Sequence, residues 1–348
     1  MIAGLVLFAM LASACGGGGD DRGDALTDLA EQGIAPLFER VDADMSALAA
    51  AVGDLCADPS PALHAAAHEA LADARASWTE GEPLWVGPVM ERRSWLFIDW
   101  AIAVDEVEEL LADTSITLDE DRLANRIGAD QRGLQVVEYF LGSPADPVPA
   151  LDRLADPRVC DYVTGVAAVA AAEASLLPGD WTGSFEDGPP FVELFAEEDS
   201  DALNDLVNDQ LFLMEAMTDR ELGQALGLME REPDLEAIEE GPAGLGAADL
   251  RGHLAGIRTA LVGGTEHGGL GPLLGDDLAD RIGTQLDAAD AAVAGIEGPL
   301  REAIERADPA VVATRDAIKA VQVTVATEVV SLLGIRIGFS DADGDSGG

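Results

Sequence analysis

The stretch Arg132-Gly133-Leu134-Gln135-Val136-Val137-Glu138-Tyr139-Phe140-Leu141-Gly142 is the part of the sequence that decides how the chain is interpreted. Apolar residues recur in it at helical spacing, which predicts a buried helix; they are Leu134, Val137 and Leu141. Gln135 and Glu138 are three residues apart, so their side chains share another face of this helix and can converge. A carboxylate on so apolar a helix is costly unless another group pairs with it, ligates it or protonates it. Glu138 is therefore the first candidate site residue.

The composition favours helices and a substantial core. The chain has 348 residues, of which 48% are hydrophobic and only 5% aromatic, and this length is sufficient for two packed units. The formal charge of -46 at pH 7 argues against nucleic-acid binding, because phosphates would be repelled. Two interpretations of this charge stay open: a solvated acidic surface, as in a saline habitat, or a surface that concentrates cations.

Residues 1–15 are predicted to be a lipoprotein signal peptide. The apolar run from Ile2 to Leu11 is too short to span a membrane as a helix. The following Ala12-Ser13-Ala14-Cys15 resembles a bacterial lipobox, in which Cys15 would receive the lipid. Residues 16–24 are predicted to be a flexible tether. We therefore expect a lipid-anchored protein of the bacterial cell envelope, facing the periplasm or the cell surface, with the membrane as a partner. An ordinary signal peptide or a short membrane anchor is the alternative.

Two cysteines remain after Cys15, and they are Cys56 and Cys160. In an oxidising compartment such a pair predicts a disulfide. Two separate buried thiols are the alternative.

Helical patterns occupy almost all of the chain and predict an all-α protein. Residues 25–182 form a first helical bundle that contains the Glu138 helix. The Gly- and Pro-rich residues 183–190 mark the boundary, 183–340 form a second bundle, and 341–348 are an acidic tail. The alternating aspartates of that tail imitate the first half of a calcium loop but lack its last ligand.

Two further sets of residues have competing interpretations. His64 and His68 lie four apart on a predicted helix, which suits either a metal pair or partly exposed surface histidines, and we favour the latter. Asp99 lies among large apolar residues, where it could face Glu138 across the core. The interpretation that we favour is that it pairs with one of the preceding arginines, Arg92 or Arg93.

The motif resembles the signature of the imelysin family, Gly-x-His-x-x-Glu, at Gly133 and Glu138, with Gln135 in place of the histidine. Two more segments are similar to the family: the run from Gly87-Pro88 to Asp99, and the ending Phe339-Ser340-Asp341-Ala342-Asp343-Gly344-Asp345.

The resemblance implies two packed helical bundles related by internal duplication, and an envelope lipoprotein that binds a metal ion or small ligand in an iron-uptake-related role. The implied ligands are Glu138, Gln135, Asp99 and His253. The cofactor would be a divalent or ferric ion, because an amide oxygen suits a hard cation better than zinc.

Two alternatives to this function stay open. One is a non-catalytic scaffold or binding lipoprotein with a degenerate site. The other is the metallopeptidase activity of the family label, which the sequence disfavours because Gln135 replaces the histidine and no His-Glu-x-x-His is present.

Overall fold

The computed structural model describes residues 18–197, 201–228, 232–265 and 267–338. These residues are predominantly helical and include no strand, which confirms the all-α prediction. The helices up to residue 182 are α1 (Gly18–Asp28), α2 (Ala35–Ala57), α3 (Pro61–Gly81), α4 (Pro88–Arg92), α5 (Trp95–Ile98), α6 (Val104–Ala112), α7 (Glu120–Asn125), α8 (Leu134–Leu141), α9 (Val148–Leu154), α10 (Pro157–Ala174) and α11 (Leu177–Thr182).

The second half continues the helical architecture. Its helices are α12 (Phe191–Phe195), α13 (Ala202–Glu215), α14 (Leu222–Ala225), α15 (Gly246–Leu261), α16 (Gly271–Leu274), α17 (Asp276–Val293), α18 (Leu300–Glu305), α19 (Pro309–Thr324) and α20 (Val330–Leu333). Helix α2 packs against α3 and α10 in the first half, and α17 packs against α15 and α19 in the second. Helix α15 also packs against α3, so these two helices join the halves.

The start of the described chain corrects one prediction. Helix α1 begins at Gly18, and a π-helical segment, Leu29–Ile34, leads directly into α2. Residues 18–24 therefore belong to a helix and not to a flexible tether. The reason is packing, because α1 contacts α12 and α16 and two of its residues, Ala25 and Leu26, are buried in the core. Gly33 lies in this π-helical segment, and Pro36 is the second residue of α2.

The core is continuous across the predicted boundary at residues 183–190. The Trp181 ring stacks on Phe38 with 6.2 Å between centroids and contacts Phe191 and Phe195 edge to face. The buried apolar residues of both halves form one cluster. The boundary between the two bundles stays a prediction.

A disulfide joins Cys56 at the end of α2 to Cys160 in the first turn of α10. The two Cα atoms lie 5.6 Å apart, although the residues are separated by 104 positions. Because α2 and α10 also pack along their lengths, the covalent link reinforces an existing interface.

One described helical stretch, residues 157–182, is long and apolar enough to cross a membrane by length and composition. Many of its apolar residues belong to the core, and Tyr162, Val166 and Trp181 are fully buried inside the protein.

Two glycines of α15 permit unusually close packing against α3. A Cβ atom at Gly252 would lie 2.0 Å from Thr79 Oγ1, and one at Gly256 would lie 2.0 Å from the carbonyl oxygen of Glu80. Since Gly252 and Gly256 are four residues apart, they lie on the same face of α15. This close approach positions the polar residues of α15 next to those of α3.

Candidate functional site: a buried arginine among carboxylates

Glu138 points into the protein, as the sequence predicts. Its side chain is 2% exposed, and its Oε2 lies 3.5 Å from Nη1 of Arg75. Its Oε1 accepts a hydrogen bond of 3.0 Å from the backbone N–H of Ala243. A Cβ atom at Gly241 would lie 2.4 Å from the carboxyl carbon of Glu138. Glycine at position 241 therefore lets this loop reach the carboxylate.

Arg75 of α3 is the centre of the site. Its Nη2 donates to Oδ2 of Asp249 at 2.7 Å and its Nε donates to Oδ1 at 3.3 Å, which forms a bidentate pair. Its Nη1 lies 3.8 Å from Oδ2 of Asp99. We refer to Arg75, Asp99, Glu138 and Asp249 as the Arg75 cluster. Four separate segments of the chain thus meet at one guanidinium group.

The pKa values in the Arg75 cluster reflect burial and mutual charge. Burial raises the pKa of Asp99 to about 7, although Arg75 opposes this shift. Burial also raises the pKa of Glu138, while Arg75 and the N–H of Ala243 lower it. Burial lowers the pKa of Arg75, but the carboxylates of Asp249, Asp99 and Glu138 together raise it well above its usual value. Arg75 is therefore a permanent positive charge.

A second group of ionisable residues adjoins this cluster. His253 lies one turn after Asp249 on α15, and its Nε2 is 2.8 Å from Oε2 of Glu82. Burial lowers the pKa of His253, but Glu82, Glu221 and Asp249 raise it overall to about 9. Burial raises the pKa of Glu221 to about 8, although His253 opposes the shift. We refer to Glu82, Glu221 and His253 as the His253 group.

Carboxylates outnumber bases across the two groups and the adjoining loop. Seven carboxylates and two bases take part in the electrostatic interactions here; the carboxylates belong to Glu82, Asp99, Glu138, Glu221, Glu239, Glu240 and Asp249, and the bases are Arg75 and His253. Glu240 is satisfied separately, because its carboxylate accepts hydrogen bonds from the N–H groups of Leu300 and Arg301, each at 2.7 Å. The remaining charge is relieved in part by protonation.

The other two motif residues act on the segment that contains Asp99. Gly133 has φ = 90°, and a Cβ atom there would lie 2.6 Å from the carbonyl oxygen of Ile98. Oε1 of Gln135 accepts a hydrogen bond of 3.3 Å from the N–H of Ile102. Gly133 and Gln135 thus hold residues 98–102 against the start of α8, and this fixes the position of Asp99.

The predicted ligands are only partly brought together. Asp99 and Glu138 both face Arg75, His253 lies beside them in the neighbouring group, and the amide oxygen of Gln135 is directed to the backbone. In the described ranges, no three His, Cys, Asp or Glu side chains are arranged to hold a metal ion. The proposed ligand roles of these four residues stay predictions.

The favoured pairing of Asp99 with Arg92 or Arg93 is wrong, because Asp99 faces Arg75. Arg92 instead binds Glu173, with Nε 2.8 Å from Oε1, and lies 3.6 Å from Asp180. The prediction rested on the closeness of Arg92 and Asp99 in the sequence, but Arg92, at the end of α4, points toward α10 and α11.

The expectation that His64 and His68 are partly exposed is also wrong. They are 1% and 9% exposed, and their Nε2 atoms lie 2.7 and 3.3 Å from the carbonyl oxygen of Leu141. This carbonyl belongs to the last turn of α8 and lacks a helical partner. The two histidines therefore provide hydrogen-bond partners for the last carbonyl group of the motif helix. The alanines around them in the sequence give no indication of this role.

Sequence reasoning missed four residues of the site: Arg75, Glu82, Glu221 and Asp249. One signal was present, because Arg75 is the only arginine or lysine in α3. Asp249 and His253 are also four apart on α15, so a search for polar pairs on one helical face would have found them together.

These features define an all-helical protein with a buried ion-pair site. The model of the imelysin family, labelled peptidase M75, matches residues 34–326. The chain therefore belongs to the imelysin family, which confirms the resemblance of the motif. No curated protein sequence matches this chain.

Two solved structures share the fold. A protein of Parabacteroides distasonis ATCC 8503, provisionally described as an iron-regulated protein A precursor, has 16% identity and a TM-score of 0.73, with 92% of this chain and 97% of that chain covered. An imelysin-like protein of Psychrobacter arcticum 273-4 has 20% identity and a TM-score of 0.72, with 92% and 98% covered. At these identities the likeness shows the fold alone.

Replacing Gly133 by alanine should destabilise the protein strongly. The new Cβ atom would collide with the carbonyl oxygen of Ile98 at a backbone conformation that alanine rarely adopts, so we expect a loss of about 2 kcal/mol or more in the free energy of unfolding. Gly53→Ala in α2 is the matched control, since no atom lies within 4 Å of its Cβ position, and it should stabilise by up to about 1 kcal/mol. Urea unfolding measures both; equal effects would contradict the role given to Gly133.

The melting temperature should fall as pH rises from 6 to 9. The folded-state pKa values of Asp99, Glu221 and His253, at about 7, 8 and 9, all lie above their ordinary values. In this range the folded state therefore holds protons that the unfolded chain has released, and raising the pH destabilises it. Glu221→Gln should flatten the fall, whereas Glu305→Gln, an exposed residue of α18, should leave it unchanged. Scanning calorimetry at each pH measures this; identical profiles for both variants would contradict the assignment.

Proposed function

We propose that this protein is a lipid-anchored, non-peptidase member of the imelysin family in the bacterial cell envelope, with an iron-related role. Family membership and the iron-regulated description of one structural neighbour support the iron-related role. The observation on which the non-peptidase part rests is the position of Arg75, whose guanidinium lies among the carboxylates of Asp99, Glu138 and Asp249.

The arrangement of the carboxylates indicates that the guanidinium of Arg75 occupies the place that a metal ion would take in this site. A metal ion bound by Glu138 needs other donors around the same point, but Asp99 and Asp249 are both directed at Arg75. The amide oxygen of Gln135 is engaged by the N–H of Ile102. The residues present therefore fit an internal ion-pair cluster better than a metal site.

A second candidate is that a cation binds beside Arg75. It is favoured by the excess of carboxylates over bases and by Oδ1 of Asp99, a buried oxygen atom that lacks a hydrogen-bond partner in the described chain. A bound cation would relieve the charge, and Oδ1 of Asp99 is an oxygen donor of the kind that a hard cation prefers. Metal titration distinguishes the two candidates.

The proposed anchor rests on the sequence alone. Cys15 and the apolar run before it lie outside the described residues, and the support for lipidation is the lipobox-like Ala12-Ser13-Ala14-Cys15. The disulfide between Cys56 and Cys160 agrees with this location, because disulfides persist in oxidising compartments outside the cytosol.

If the guanidinium of Arg75 occupies the place of a metal ion, added metal ions should not change the melting temperature of the full chain. The ions to be tested are Fe³⁺ as its nitrilotriacetate complex, Fe²⁺, Ca²⁺, Mg²⁺ and Zn²⁺. Arg75→Met should destabilise by about 3–5 kcal/mol, because it leaves buried carboxylates without a cation. Any Arg75→Met protein that folds should gain a cation-dependent rise in melting temperature, and this rise should disappear in Arg75→Met/Glu138→Gln.

Arg40→Met is the matched control for this series, since Arg40 pairs with Glu80 at the surface and its side chain is 48% exposed; it should cost at most about 1 kcal/mol. An ion that raises the melting temperature of the unaltered protein, with the rise lost in Glu138→Gln, would replace the first candidate by the second.

Cys15→Ala should release the protein from the membrane fraction and abolish metabolic labelling with palmitate. Cys56→Ala/Cys160→Ala is the control, since its sulfur atoms belong to the disulfide and it should remain labelled. Membrane attachment that persists in Cys15→Ala would instead indicate an uncleaved apolar anchor.

A further inference from the structure

A second concave feature lies apart from the Arg75 cluster, on the side of α13. It is a cavity of about 640 Å³, a size typical of small-molecule sites. Aromatic rings form much of its wall, and they belong to Trp85, Phe185, Phe191 and Phe212. We refer to it as the α13 groove.

The remaining wall of the α13 groove is acidic. Asp201, which directly precedes α13, and Asp205 and Asp209 within α13 follow one another at intervals of four residues, and all three line the groove. Neither lysine nor arginine is among its described lining residues. Asp201, at the outer end, binds Nη2 of Arg336 at 2.7 Å. Asp205 and Asp209 have no ion pair with any described residue, so two carboxylates face the groove without a cation.

The electrostatics of Asp209 agree with an unmet demand for positive charge. Burial and the neighbouring carboxylate of Asp205 raise the pKa of Asp209 to about 8. Burial and Asp201 likewise raise the pKa of Asp205. A cation in the groove would reverse both effects, because an opposite charge stabilises the carboxylate form.

Aromatic walls and carboxylates together are the chemistry that recognises organic ammonium groups. Ring faces attract the cation and shield its alkyl part from water, while the carboxylates supply the opposite charge. Residues four apart on an α-helix are displaced by about 6 Å along its axis, which matches the separation of the two nitrogen atoms in a four-carbon diamine. We propose that the α13 groove binds a linear aliphatic diamine or polyamine, with Asp205 and Asp209 each holding one ammonium group.

Isothermal titration of the full chain with 1,4-diaminobutane tests this site. We expect about one diamine per chain, and Asp209→Asn should weaken binding about tenfold or more, which is the loss of one good charged contact. Phe212→Leu should also weaken it, since it removes a ring but keeps the wall apolar. 1,4-Butanediol, which has the same length and no charge, should not bind.

The high negative charge of the protein makes a surface control necessary. Asp105→Asn removes the same charge from an exposed position of α6 outside the groove, and it should bind the diamine like the unaltered protein. If Asp105→Asn and Asp209→Asn weaken binding equally, the diamine only screens the surface and the proposal is overturned. It is also overturned if a lysine-containing peptide binds with the Asp209 dependence while the diamine does not, because the groove would then belong to a protein partner. Circular dichroism verifies that each variant is folded.

Discussion

The structure depends on one positive charge held inside an acidic protein. Arg75 is 4% exposed and is approached by carboxylates from three other segments, at Asp99, Glu138 and Asp249. Each of these carboxylates would be costly to bury alone. Their common partner therefore couples the two halves of the molecule: the helix that provides Arg75 belongs to the first half, and the bidentate carboxylate belongs to the second.

Helix α3 contacts the motif helix α8 at its middle and at its C-terminal end. Arg75 binds the carboxylate in the middle of α8, and His64 and His68 contact the carbonyl group at its end. At the other end of α8, Gly133 and Gln135 hold the segment that contains Asp99. The short motif helix is thus fixed at its start, its middle and its end, and Gly133 and Gln135 position the segment that contains Asp99.

The sequence predicts the all-α class, because helical patterns occupy almost all of the chain. It also predicts the inward direction of Glu138, because the periodic apolar residues around it indicate a buried helix. It does not predict Arg75 as the centre, since Arg75 and Asp249 are 174 residues apart and only helix packing brings them together. The burial of His64 and His68 is not predicted for a related reason. Their partner is the backbone carbonyl of Leu141, far along the chain, and a pattern of side chains does not reveal a backbone partner. The family resemblance drew attention to Asp99 and Glu138, which both face Arg75, but it did not predict that Gln135 accepts a hydrogen bond from the backbone.

Gly252 and Gly256 have a consequence that reaches beyond packing. They are positions at which α15 lies close to α3 because the glycines contribute no side chain of their own, and Asp249 and His253 are their near neighbours on the same helix. A methyl group at either glycine would act as a spacer and widen the gap between the helices. The bidentate contact of Arg75 with Asp249 would then lengthen as well. Gly252 and Gly256 therefore affect the strength of the ion pair between Arg75 and Asp249, although neither glycine carries a charge or a side chain.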